Sequence, residues 1–192
     1  MSKAERTRKF IIEQSAGIVN RKGMAGTSLS DIMEATKLAK GGIYGNFESK
    51  DEICMESFLY LSRMMAERLD RAVADGKNAK DKFFNLLEAY KGKNMEGGCP
   101  ILNFGVEADD THPLMKENVR KAIRSSQKRI HDIVSQGISD KQILNTVDPK
   151  NFSVKAFAMI EGAILCKRVL ESEEQMRIVM GAIWLEFESY LL

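Results

Sequence analysis

The side chains best equipped for chemistry are few in this chain, and they are scattered. Two histidines, His112 and His131, and three cysteines, Cys54, Cys99 and Cys166, stand among 192 residues. His112 precedes Pro113 at the expected start of a helix and His131 lies among charged residues. No nucleophile elbow, phosphate loop or metal-ligand spacing accompanies either. The run Glu107-Ala108-Asp109-Asp110 has the composition of a metal or acid–base pair, but acidic residues between helices ordinarily cap them or face water. We therefore expect neither an enzyme nor a cofactor or metal site.

The cysteines are odd in number and widely spaced, which fits a reducing compartment better than a disulfide framework. Cys99 follows Gly97-Gly98 and precedes Pro100 near a helix start, where the dipole would favour thiolate. It is the candidate redox or electrophile sensor, against the plainer reading of a small buried hydrophobe. No apolar run reaches the roughly 18 residues of a membrane span, and the basic start MSKAERTRK leads into an amphipathic segment, so a soluble cytoplasmic protein without a membrane partner is expected. The net charge of +2 is unevenly placed. Residues 1–50 hold nine Lys/Arg against five Asp/Glu, while the remainder is mildly acidic, which is the pattern of a nucleic-acid-binding head on a mildly acidic body, or simply of a solvated face.

The elements that position these residues read as helices throughout. Apolar residues at helical spacing, three prolines in the whole chain and no Val/Thr/Tyr alternation give an all-α fold of about nine helices. Phe10, Ile11, Ile18 and Val19 mark a first helix from Glu5 to about Lys22, stopped by Gly23. Ser28 with Asp31 has capping-box spacing for a short second helix through about Thr36, and Ala39–Asn46 forms a third. Ser49 and Glu52 open a long fourth helix to about Val73; Asp81–Met95, Pro100–Ala108 and Pro113 to about Gln136 follow. Asp148-Pro149 and Ser172/Gln175 start two last helices, 149–170 and 173–191. The expected division is a three-helix head, residues 1–48, and a helical body, residues 49–192.

Within the third helix, Gly41, Gly42 and Gly45 crowd around Ile43 and Tyr44. Each glycine costs roughly 0.8–1 kcal/mol against alanine in a helix interior. Something other than local propensity must account for them. Two short helices across a tight turn, with a third before them, compose a helix-turn-helix unit. The stretch TSLSDIMEATKLAKGGIYGNFESKDEI, with Gly23 before it, Thr27, Ile32, Ala35, Lys40-Gly41, Ile43-Tyr44, Phe47 and Ser49-Lys50, resembles the DNA-binding segment of the TetR/AcrR family of bacterial repressors. GCPILNFGVEADDTHP, in the body, is similar to a phrase of many members.

The resemblance implies a recognition helix entering the major groove, where glycine lets backbone N–H groups approach the duplex. Gly41 fits that pattern, whereas Gly42 and Gly45 replace larger polar residues and remove side chains that could read bases. Tyr44, Lys50 and Thr27 are then implied at phosphates, with Ser28 beside them. Lys40 and Asn46 are the candidates for base edges, lysine donating to guanine and asparagine suiting adenine. Ala39 stands where the family often has a capping serine, so a third helix frayed without DNA is expected.

For the body, the resemblance implies a homodimer paired through the last two helices, with Phe157, Ile160, Ile164, Trp184 and Phe187 supplying buried area, and hence a double-stranded palindromic operator. It also implies a small effector that respaces the heads. Met64, Phe83, Leu87, Tyr90, Met95, Phe104 and Ile123 are the candidate lining, suited to a largely apolar ligand. The alternative is a helical ligand-binding or scaffold protein whose head has lost DNA affinity.

Overall fold

The computed structural model describes residues 2–92 and 96–192, and the fold is helical: α1 Lys3–Gly26, α2 Leu29–Thr36, α3 Lys40–Tyr44, α4 Lys50–Ala74, α5 Ala79–Lys91, α6 Pro100–Ala108, α7 Pro113–Ser139, α8 Pro149–Val169 and α9 Glu174–Glu188. Most ends follow the expected caps. Ser28 and Asp31 exchange both hydrogen bonds of a capping box, Asp148 accepts from the Lys150 and Asn151 N–H groups, and His112 Nδ1 accepts from Met115 N–H at the start of α7. Ser49 accepts from Glu52 N–H, but the Glu52 carboxylate turns to Glu48 N–H. Among the described residues Ser172 Oγ accepts from Glu174 N–H alone, and Gln175 makes no reciprocal bond. The expected fifth helix ends earlier than placed, at Lys91; Met95 lies outside the described residues. Among the described residues no helix is long and apolar enough to cross a membrane.

The chain forms two compact units, Met1–Met64 with Met95–Arg120, and Met65–Asn94 with Lys121–Leu192, so that α4 and α7 contribute to both. Compactness groups the first part of α4, α6 and the start of α7 with the three helices of the expected head, residues 1–48. In the first unit, Ile11, Ile32, Ile43, Phe47 and Ile53 make one core drawn from α1, α2, α3 and α4, with Leu29 and Leu38 packed against it. Phe58 and Phe104 join α4 to α6, their ring centroids 5.2 Å apart.

Gly23 interrupts α1 with φ 79°, and one further turn follows. That turn is closed by α6: the Glu107 carboxylate accepts from Met24 N–H at 2.7 Å and Ala25 N–H at 2.6 Å. Asn20, buried on α1, donates to the Glu96 and Gly98 carbonyls, and Asn103 of α6 donates to Asn20 and to the Gly97 carbonyl. Gly97 is required here. Its φ is 88°, and a Cβ would stand 2.8 Å from backbone atoms of Asn20 and Arg21.

In the second unit α8 packs along α9, and Phe83, Phe152 and Phe187 stack at its centre, Phe83 and Phe187 at 4.1 Å. The carboxyl-terminal residues return to it: Leu144 N–H donates to Tyr190 O and Leu192 N–H to Gln142 O.

Candidate nucleic-acid interface

A five-residue helix carrying glycine has little stability of its own, and α3 is held from below. Ile43 is fully buried, and Phe47 just beyond it is buried as well. Its far end is fastened by a residue that sequence reasoning did not single out. Arg8 of α1 donates from Nη1 to Asn46 O at 2.8 Å and from Nη2 to Glu52 at 2.7 Å and Glu56 at 3.0 Å. Its guanidinium also lies 4.2 Å over the Phe47 ring. The i, i+4 spacing of Glu52 and Glu56 on one face of α4 is legible as a cation seat; that the cation comes from 44 residues earlier is not. The Glu48 N–H bond, with help from Arg8, holds the Glu52 carboxyl below the usual range.

The sequence-predicted DNA residues fall into two groups. Ser28, Lys40, Gly41, Gly42 and Tyr44 are exposed, Tyr44 at 39%. A Cβ at Gly41 would meet nothing within 4 Å and one at Gly42 only ordinary contact with Leu38, so packing within the chain does not demand either glycine. Ala39 offers no side-chain cap, and among the described residues the N–H groups of Lys40 and Gly41 have no acceptor.

Thr27, Asn46 and Lys50 are already engaged. Thr27 is buried and its hydroxyl donates to Gly23 O at 2.6 Å, leaving its backbone for any phosphate. Lys50 Nζ donates to Met24 O at 2.7 Å and Thr27 O at 2.9 Å, bracketing the α1–α2 junction. Asn46 Nδ2 donates to Gly42 O at 2.8 Å, which satisfies a carbonyl at the end of α3. Its second N–H and its Oδ1 remain for an adenine edge.

The other expected sites are redistributed. Phe157, Ile160, Ile164 and Phe187 are buried in the protomer's own core and Trp184 is half-buried, so they do not form an open pairing face. The outward stripe lies a fraction of a turn away. Val154, Ala158, Leu165 and Val169 follow one another along α8 at steps of four, seven and four residues, and Ile178, Ala182 and Leu185 along α9 at steps of four and three. Val169 is 72% exposed and Leu185 67%. A helix that is apolar on two faces shows this pattern: periodicity finds both stripes but does not say which one the protomer uses.

The effector candidates are divided between the two units. Met64 and Phe104 belong to the first unit, Phe83, Leu87, Tyr90 and Ile123 to the second. Phe83 is filled in by Phe152 and Phe187, Leu87 and Tyr90 are buried, and Met64 is exposed. Cys99 is the N-cap of α6 and 2% exposed, so a reagent would reach its thiol only after that cap opened. Burial pushes the Cys54 thiol up to about 11, which makes it inert at neutral pH. Cys166 is exposed.

Comparison with known proteins places this architecture among described families. Residues 11–56 match the model for bacterial regulatory proteins of the tetR family, and residues 80–183 match the tetracyclin repressor-like C-terminal domain. A TetR-family transcriptional regulator from Cytophaga hutchinsonii is 34% identical, covers 100% of this chain and 98% of its own, and superposes with a TM-score of 0.95. A TetR transcriptional regulator from Chloroflexus aurantiacus is 33% identical over the same shares, with a TM-score of 0.94. The HTH-type transcriptional regulator TtgR of Pseudomonas putida is 25% identical over 84% of this chain and 80% of its own.

Proposed function

From the premise that this chain belongs to the TetR family of bacterial transcriptional regulators, DNA-binding proteins and not enzymes, we propose that it is a homodimeric repressor which leaves a palindromic operator when a small effector binds. The observation that carries DNA reading is the surface of α3, where the Lys40 and Gly41 N–H groups have no acceptor among the described residues and Gly41 and Gly42 present no side chain, while Ile43, Phe47 and Arg8 hold the helix in place. Backbone donors and Lys40 bind phosphate and guanine without a bulky side chain between. Sequence is then read by few contacts, with Lys40 and Tyr44 the outward side chains of α3.

Pairing is supported by the exposed apolar stripes of α8 and α9. Gly162 and Gly181, where a Cβ would meet nothing within 4 Å, lie on the same two helices and permit close approach of a second copy. A two-fold pair presents two heads to half-sites about 34–36 Å apart, hence the palindrome. A regulator of this kind works in the bacterial cytoplasm.

Selection from a random duplex pool by the purified protein tests this directly. A recurring palindrome, bound with an affinity that falls steeply as salt rises, is the expected result. Enrichment of nothing at any salt would overturn it in favour of a helical ligand-binding or scaffold protein.

A further inference from the structure

The second unit contains a cleft of about 480 Å³ between the last turns of α4, the start of α5 and the later turns of α7. That volume is within the roughly 300–1,000 Å³ of small-molecule sites, yet the lining is polar. Gly137 shapes its base: a Cβ there would stand 2.8 Å from Ala79 Cβ and 2.6 Å from Ile143 Cδ1, so only glycine lets α7 come this close to α5.

The lining carries four cations, Lys77, Lys82, Lys128 and Arg129, against three carboxylates, Asp70, Asp132 and Asp140. Each lining carboxylate already has a donor: Asp70 accepts from Arg129 Nε at 2.6 Å, Asp132 from Lys128 and Asp140 from Gln136 at 2.8 Å. The lining cations are not used up. Lys77 and Lys82 have no acidic partner among the described residues. Arg129 is nine-tenths buried, with 10% of its side chain exposed, and spends one of its five N–H donors on Asp70. Among the described residues no acceptor meets its Nη1 and Nη2 groups. The Nη edge therefore keeps donors free to take an acceptor, and its planar fork fits two oxygens of one group.

We infer that this cleft binds a small organic oxyanion, a carboxylate or phosphate group seated on the Arg129 Nη edge with Lys77 and Lys82 closing over it. Its effector role rests on the regulator reading above, whereas the binding itself does not. The anion adds its oxygens to donors that are already in place and leaves the Arg129–Asp70 bond intact. Small polar metabolites, not the apolar compounds that the methionines and aromatics suggest, are the class that this lining selects.

The test is calorimetric titration of the full chain at low ionic strength, without DNA, with succinate, citrate, benzoate, glycerol phosphate and inorganic phosphate as probes and putrescine as the cationic control. Saturable binding of at least one anion is expected, weakened tenfold or more in Arg129→Lys, which keeps the charge and loses the fork. Lys82→Ala, a change at a partly exposed residue without a partner, should weaken it severalfold and preserve the fold. The carboxylate and phosphate arms decide which head group is bound. No saturable anion binding, tighter binding of putrescine, or affinity that both variants leave unchanged would overturn the site. Because DNA is absent, failure here and failure of the operator selection are read separately.

Discussion

Helix α3 and the Gly97–Gly98 turn are both rich in glycine, and they use it for opposite reasons. At Gly97 the backbone is left-handed and the chain crowds it from one side, so the residue is dictated from within. At Gly41 and Gly42 the surroundings are open, so nothing inside the protomer needs the missing Cβ. Glycine in a tight place is a fact about folding, whereas glycine in open space on a short helix is a fact about something that comes from outside. The same distinction separates the two apolar stripes of α8 and α9.

The largest effect that would sharpen this contrast is on those stripes. Phe157→Ala should cost about 3–5 kcal/mol of stability in chemical denaturation, as large-to-small changes in a core do. Leu185→Glu should keep its helical circular dichroism and sediment as a monomer; an unchanged dimer would show that the outward stripe has no pairing role. Next in size is Gly97→Ala, where strain at positive φ and a clash with α1 add to about 2–4 kcal/mol of destabilisation. A neutral outcome in urea unfolding would break the comparison at its inner end.

Gly41→Ala tests the outer end with a reversal of sign. The protomer should gain about 0.5–1 kcal/mol from helix propensity, while affinity for the selected operator should fall about tenfold, or about 1.4 kcal/mol. Amide exchange would also register the substitution, with weak protection at residues 39–46 in the original chain and stronger protection in the variant. Unchanged operator affinity would mean that this backbone does not approach DNA.

The smallest effect concerns the helix that carries α3. A bond from Lys22, at 2.6 Å, followed by those from Ser28, lowers the Asp31 carboxyl to about 2. A group with a depressed folded pKa stabilises the native state above its unfolded value near 3.8 and loses that contribution as pH falls toward 2. Proton resonances of α2 amides should therefore shift together with the Asp31 carboxyl between about pH 4 and 2, and Asp31→Asn should abolish the coupling.

How much of this was legible beforehand differs by feature. Helix number and most caps follow from apolar spacing and local chemistry, because capping bonds span three or four residues. The two groups at the candidate DNA surface did not separate. Lys50, Asn46 and Thr27 read as outward polar residues, yet their hydrogen-bond partners, at Met24, Gly42 and Gly23, draw them inward. The joining roles of Arg8, Asn20, Asn103 and Glu107 were silent in the sequence for a related reason, each bond linking segments tens of residues apart.

The sequence by itself determined an all-helical chain, since periodicity of 3.6 and end-capping are written in neighbouring residues, and its resemblance to a known DNA-binding segment marked the helix-turn-helix head. Tertiary structure alone decided which apolar stripe of α8 and α9 is core, that α6 belongs with the head through Asn103 and Glu107, and that the second unit keeps a polar cleft with unused donors. Those outcomes depend on what lies opposite a side chain in space, and a one-dimensional pattern carries no record of the opposing partner.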